Sequence, residues 1–159
     1  MKSLIIYYSN YKGNTEKIAQ LFGKEINSEL INIKDVNNVD IKDYNLIGFG
    51  SGVYKESMSP KLFRLAEKLD LRDKNVFVFS TSGVGIKFYN KKLIKFLESK
   101  GAINKGSFAC KGSFVAQEFT NNKLFGIIFT IIGILSRGHP NDKDLKKAKK
   151  FIEKVLNLL

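Results

Sequence analysis

The stretch Ser9-Asn10-Tyr11-Lys12-Gly13-Asn14-Thr15 is rich in hydroxyls and amides, contains one glycine and opens directly into an amphipathic segment. Backbone N–H groups and the dipole at the start of such a helix favour a phosphate. The hydroxyls of Ser9 and Thr15 add donors without adding charge, and Gly13 lets the backbone approach an anion closely. Taken by itself, the loop also reads as an ordinary capped turn. Two further small, donor-rich stretches follow later apolar runs: Gly50-Ser51-Gly52-Val53-Tyr54 and Ser80-Thr81-Ser82-Gly83-Val84-Gly85. Three such loops in one chain point to a ligand held mainly by backbone amides and hydroxyls.

Several chemistries are set aside by what these loops lack. No Gly-Lys-Ser/Thr ends the first loop and it carries one glycine rather than three, so neither a Walker nucleotide site nor a dinucleotide fingerprint is present. Cys110 is the only cysteine and His139 the only histidine, which removes a disulfide framework and argues against a protein-built metal centre. No convincing constellation of catalytic acids, bases or nucleophiles is visible, so the expectation is no catalytic residues and no metal ligands. His139, between Gly138 and Pro140, reads as a loop residue ordering a helix start, and Cys110 as a buried strand thiol.

The elements that must position the loops are legible as alternating apolar runs and helical stripes. Leu4 to Tyr8, Leu30 to Ile33, Leu46 to Phe49, Val76 to Phe79 and Phe108 to Ala116 suit strands buried on both faces. Ile18, Ala19, Phe22 and Ile26 share one stripe, as do Leu62, Phe63, Ala66 and Leu69, and then Leu93, Ile94 and Leu97. A last helix begins near Asn141 or Asp142 and carries Leu145, Ala148, Ile152, Val155 and Leu156 inward. The connection after Ile33 is weakly helical, so the expectation there is a helix that is short or missing. Strand–helix alternation implies right-handed crossovers and a parallel sheet covered on both faces. Ligands in such sheets sit beyond the carboxyl ends of the strands, which is where the three loops lie.

The 159 residues are enough for one domain, read here as residues 1–159, and 43% hydrophobic with 26% charged residues is ordinary for a soluble protein. The apolar run at Leu4–Tyr8 ends after five residues at Ser9-Asn10, so it reads as a strand and gives no indication of secretion; the expected location is the cytoplasm. The net charge of +12 comes mainly from dispersed lysines, without the clustered Arg and interleaved aromatics of a nucleic-acid surface. A lysine-rich composition is the favoured account, and an acidic partner stays open. Residues 124–135 are nearly devoid of polarity, too short to span a bilayer and too apolar for a solvated loop. They must be buried: as a short helix over the sheet edge, or as a docking patch for a membrane or partner protein.

The loop Ser9 to Thr15 with Glu16-Lys17-Ile18-Ala19 resembles the phosphate loop and first helix of the flavodoxin family, and the two later loops resemble that family's flavin-ring loops in the expected order. Cys110-Lys111-Gly112-Ser113-Phe114 and Gly138-His139-Pro140-Asn141 extend the resemblance over nearly the whole chain. It implies an α/β three-layer sandwich whose five-stranded parallel sheet has the order 2-1-3-4-5, with helices on both faces, and it implies FMN as cofactor. Carried over, it assigns Ser9, Asn10, Lys12, Gly13, Asn14 and Thr15 to the phosphate, and Ser51, Gly52, Val53, Tyr54, Thr81, Ser82, Gly83 and Val84 to the ring system. Tyr54 is the matching stacking aromatic. Tyr89 and Phe88 offer a second aromatic wall, though core packing is the better expectation for Phe88.

The function implied is electron transfer between redox partner proteins, here with acidic rather than basic docking surfaces because the chain is basic. The alternative is a flavin-dependent reductase or oxidase of the same fold acting on a quinone, a porphyrin precursor or another small acceptor. An FMN-free module that uses the basic surface for nucleic acid or lipid is the third reading, disfavoured by the intact phosphate loop and Tyr54.

Overall fold

A computed structural model describes every residue except 35, 37, 55, 56 and 115–122, and the side chains of 123–125 are likewise outside the description. The chain runs β1 (Ser3–Tyr8), α1 (Asn14–Ile26), β2 (Glu29–Asn32), β3 (Leu46–Tyr54), β4 (Ser57–Met58), α2 (Pro60–Lys68), β5 (Asn75–Ser82), a 3-10 turn (Lys87–Asn90), α3 (Lys91–Ser99), β6 (Ile103–Lys111), α4 (Lys123–Ser136) and α5 (Asp142–Leu156). The long strands pair in parallel in the order β2-β1-β3-β5-β6, and β4 adds a short antiparallel pairing to the end of β3. Without β4, this is the expected order of five strands. β4 escapes a reading by apolar runs because it is two residues long.

Each strand sends alternate side chains to opposite faces, and the helices divide accordingly. Ile5, Tyr7, Phe77, Phe79 and Phe108 pack with Ile18, Phe22, Ala148 and Ile152 of α1 and α5. Leu4, Ile6, Ile47, Phe49, Val76 and Val78 pack with Leu62, Ala66, Leu93 and Leu97 of α2 and α3. Each fully buried aliphatic or aromatic side chain contributes on the order of 1.5–3 kcal/mol. Phe22 is the centre of the first cluster, edge-on to Phe77, Phe79 and Phe108 at 5.2–5.9 Å between centroids. The β3 residues opposite Phe77 and Phe79 are Gly48 and Gly50. A Cβ on Gly50 would run into the Phe79 ring, so the glycine is what lets that ring lie flat against the neighbouring strand.

Two expectations need correction. The strand expected from Phe108 starts five residues earlier, at Ile103. Its first half is an edge strand, partly exposed and broken by a register shift between Val76 and Val78 with Gly106 at φ 132°, so it carries polar residues. Positions 115 and 116 of that expected run lie outside the described residues. Leu156, expected inward, sits at the end of α5 and is exposed. No helix occurs among the described residues between Ile33 and Leu46, where the chain instead buries Ile41 and Tyr44 against the α2–α3 face.

The start of α5 is fixed as its sequence suggests. Asn141 caps it, accepting from the amides of Lys143 and Asp144, while Asp144 accepts from the Asn141 amide. His139 Nδ1 lies 2.5 Å from the same Asp144 carboxylate, so the histidine orders the helix start.

Candidate functional site

The carboxyl ends of β1, β3, β5 and β6 face one cavity of about 340 Å³, inside the range of small-molecule sites. Among the described residues its lining side chains are hydroxyl, amide, aromatic or aliphatic, and none of these is charged. Such a wall binds a planar ligand by stacking and by donors, with the charge of any anionic end left to backbone amides.

Those amides belong to the turn between β1 and α1. Lys12 and Gly13 both take left-handed backbone, φ 50° and 64°, which curls the chain before the helix. Gly13 is the N-cap residue and makes no side-chain cap, so the first-turn amides of α1 are left for an external acceptor. Ser9, Tyr11, Asn14 and Thr15 of this turn line the cavity. Asn10 and Lys12 are exposed, and the Lys12 ammonium lies 5.5 Å from the centroid of the Tyr11 ring. Asn14 faces elsewhere as well: its Nδ2 donates to the Ser113 carbonyl at 2.8 Å, tying the loop after β6 to the loop after β1.

A second tie is buried. Thr15 Oγ1 and Thr81 Oγ1 are 2.8 Å apart, joining the first loop to the β5 end, with both residues almost wholly shielded from solvent. Thr81, Ser82, Gly83 and Val84 line the cavity, and Ser82 Oγ accepts from the Gly85 amide to close the turn. A Cβ on Gly83 would collide with the Phe114 ring and lie 2.7 Å from Ile132 Cγ2, so only glycine fits between β5 and the α4 wall.

On the β3 side, Gly52, Val53 and Tyr54 line the cavity. Tyr54 is half-buried, tilted against Tyr8 at 6.0 Å between centroids, and burial followed by the neighbouring Tyr8 pushes its phenol pKa up. Ser51 turns inward instead: its Oγ accepts from the Ser59 amide and donates to the Gly52 carbonyl, bracing β3 against the start of α2. Of the residues singled out in sequence, ten therefore come together on the cavity, whereas Asn10, Lys12, Gly13 and Ser51 do not line it.

The structure also brings in residues beyond those assigned to the phosphate and the ring system. Gly112, Ser113 and Phe114 form a wall anchored by Gly112 N to the Ser82 carbonyl and Ser113 N to the His139 carbonyl. Phe129 and Ile132 of α4 close the cavity from above, and Tyr89 lines it while Phe88 points to solvent, 65% exposed. The core role expected for Phe88 is thus corrected. The 3-10 turn sends adjacent side chains to different sides, and the inward place falls to Tyr89 and Asn90. Of the two readings of 124–135, that of a helix fully packed over the sheet edge needs correction. It is a helix, as anticipated, but Ile127, Ile128, Ile131, Ile134 and Leu135 remain exposed. A helix apolar on all sides can shield only the side that meets the body.

Two unused groups complete the surroundings. Burial, with Asp144 adding to it and Lys17 opposing, pushes the Cys110 thiol up to about 12. Burial and then the Glu16 carboxylate, which accepts from its hydroxyl, push Tyr7 up to about 12.

Comparison with known proteins agrees with this architecture. A flavodoxin-domain family profile matches residues 4–121. An uncharacterised protein of Methanocaldococcus jannaschii is 39% identical, over 98% of this chain and 99% of its own. The flavodoxin-like domain-containing protein BilS of Clostridioides difficile is 34% identical, over 98% of this chain and 97% of its own. The crystal structure of oxidised flavodoxin 1 from Bacillus cereus superposes with a TM-score of 0.69 over 100% of this chain and 99% of that one, at 20% identity. With the strand order, the three convergent loops and these matches in hand, the chain belongs to the flavodoxin family.

Proposed function

We propose that the chain binds one FMN noncovalently in this cavity and carries electrons between redox partner proteins, as a single domain of residues 1–159 in the cytoplasm. The observation that carries the reading is the convergence of the loops after β1, β3 and β5 on one cavity, lined among the described residues by uncharged side chains, beside the uncapped start of α1. FMN, when bound, supplies one- and two-electron redox chemistry.

The chain's own residues then divide the work. The amides of the Asn10–Thr15 turn and the hydroxyls of Ser9 and Thr15 receive the phosphate, with Lys12 adding positive charge from the rim. Gly52, Val53 and Tyr54 on one side and Thr81, Ser82, Gly83 and Val84 on the other hold the ring system, Tyr54 and Tyr89 offering aromatic faces. Phe114, Phe129 and Ile132 exclude water from one side. Asn14 keeps the 112–114 wall in place through Ser113, and Ser51 holds the β3 end in shape.

The basic surface favours acidic faces on the redox partners. The test of the carrier role is turnover: FMN-loaded protein, reduced photochemically, should pass its electrons to ferricyanide, yet show no steady oxidation of NADPH by benzoquinone when no reductase is added. Sustained turnover by the protein alone would replace the carrier with a reductase of the same fold.

A further inference from the structure

α4 carries its greasiest surface outward. Ile127, Ile128, Ile131, Ile134 and Leu135 are each 50–63% exposed and, at 100° per residue, fall within a stripe about 120° wide. Phe129, Ile132 and Ser136 occupy the opposite side and face the body. The helix is thus inverted relative to a surface helix of a globular protein, whose apolar stripe faces the core. The one exposed hydroxyl beside the stripe, that of Thr130, donates to the Gly126 carbonyl at 2.7 Å, so it has no need of water.

The charged groups shown at the end of this stripe are cationic. Arg137 follows the helix directly and is exposed, and Lys111 Nζ donates to the Leu135 carbonyl at the helix end. Lys87 and Lys91 flank the exposed Phe88, whose ring lies 5.2 Å from the Lys91 ammonium. A second copy of the chain would bring two such positive rims together, which argues against self-association. A folded protein partner would place donors and acceptors at about one hydrogen bond per 100–200 Å². This stripe offers none at its centre, and the charged groups shown at its end, Lys111 and Arg137, are cations.

Hydrocarbon beneath and anionic phosphate at the rim is the layering of a lipid surface. A helix of 14 residues is about 21 Å long, short of the ~30 Å hydrocarbon core, and no helix among the described residues is long and apolar enough to cross a membrane. It would lie in the surface, not span it. We propose that the outward stripe of α4 docks the protein peripherally on an anionic bilayer, with the cationic rim against the headgroups and the cavity wall formed by Phe129 and Ile132 directly behind the contact. The inference does not depend on FMN.

The experiment is sedimentation of the full chain with vesicles of phosphatidylcholine alone or with phosphatidylglycerol, in parent and I131E/I134E forms, both residues being exposed and free of core contacts. The parent should pellet with the anionic vesicles, weakly with neutral ones, and the double variant should bind roughly tenfold or more weakly. Because the chain contains no tryptophan, Ile131→Trp gives a single reporter, and its emission should shift to the blue on anionic vesicles. No pelleting of the parent, equal pelleting of the I131E/I134E form, or a tryptophan that stays in water would each overturn the proposal, the second by reducing it to adsorption of a basic protein. Failure to pellet combined with a dimer that I131E/I134E dissociates would give the face to a second copy. Failure to pellet combined with Ile131-dependent binding to polyglutamate would give it to an acidic partner.

Discussion

The bond between Thr15 and Thr81 joins the two loops that the cavity depends on, and its removal has a calculable consequence. Both hydroxyls are buried and 2.8 Å apart, so replacing one with valine keeps the shape while leaving the other hydroxyl without its partner. An orphaned buried hydroxyl costs about 1–3 kcal/mol, whereas replacing both partners with apolar groups of the same shape is nearly neutral. Thr15→Val and Thr81→Val should therefore each lower stability by about 1–3 kcal/mol, and the double variant should fall within about 1 kcal/mol of the parent. In a chain of this length each kcal/mol corresponds to roughly 2–4 °C in Tm, so the singles should melt about 2–12 °C lower. Urea unfolding of the four proteins, without added FMN, gives the coupling energy directly. Effects that simply add would show that the hydroxyls do not bond each other and that the loops are held together some other way.

Other consequences follow from the same packing. Gly50→Ala should cost about 1–3 kcal/mol or more, because its methyl meets the Phe79 ring, and Phe79→Leu in the same chain should recover part of the loss in the urea midpoint. Gly13→Val places a β-branched residue at φ 64°, so it should weaken FMN about tenfold or more while leaving riboflavin, which lacks the phosphate, within about twofold in fluorescence titrations. High pH should destabilise the fold: Cys110 is raised from 9.0 to about 12 and Tyr7 from 10.0 to about 12, so the unfolded chain releases both protons first. The stabilisation is fully present below about pH 9 for the thiol and about pH 10 for the phenol, and is lost as pH climbs through about 12. Urea midpoints of the parent and Cys110→Ala should therefore converge as pH rises from 8 to 11, and a constant gap would contradict the burial argument.

The sheet was legible because its three central strands, β1, β3 and β5, are buried runs rich in Leu, Ile, Val and Phe, and parallel strands covered on both faces need no polar alternation. The start of β6 was not, because an edge strand with a bulge at Gly106 tolerates Asn104, Lys105 and Ser107. In the site, the loops after β1, β3 and β5 announced themselves through glycine and hydroxyl clusters at strand ends. Direction within a loop did not: Ser51 and Ser9 look alike in sequence, yet Ser51 braces α2 while Ser9 lines the cavity. Phe114, Phe129 and Ile132 were invisible as site residues because an apolar side chain carries no mark of which apolar surface it will meet. The spacing of Phe129 and Ile132, three apart on one helix face, was the available signal. The outward stripe of α4 was readable as an oddity of composition, but which side would face solvent depended on where the cavity lay.

Binding of one FMN in the cavity is tested by titrating the purified protein, stripped of any bound flavin, with FMN and following the quenching of flavin fluorescence. Saturation at one FMN per chain is expected, with Thr15→Leu and Gly13→Val weakening FMN far more than riboflavin. A protein that leaves FMN fluorescence unchanged, or that loses FMN and riboflavin equally in those variants, would contradict it.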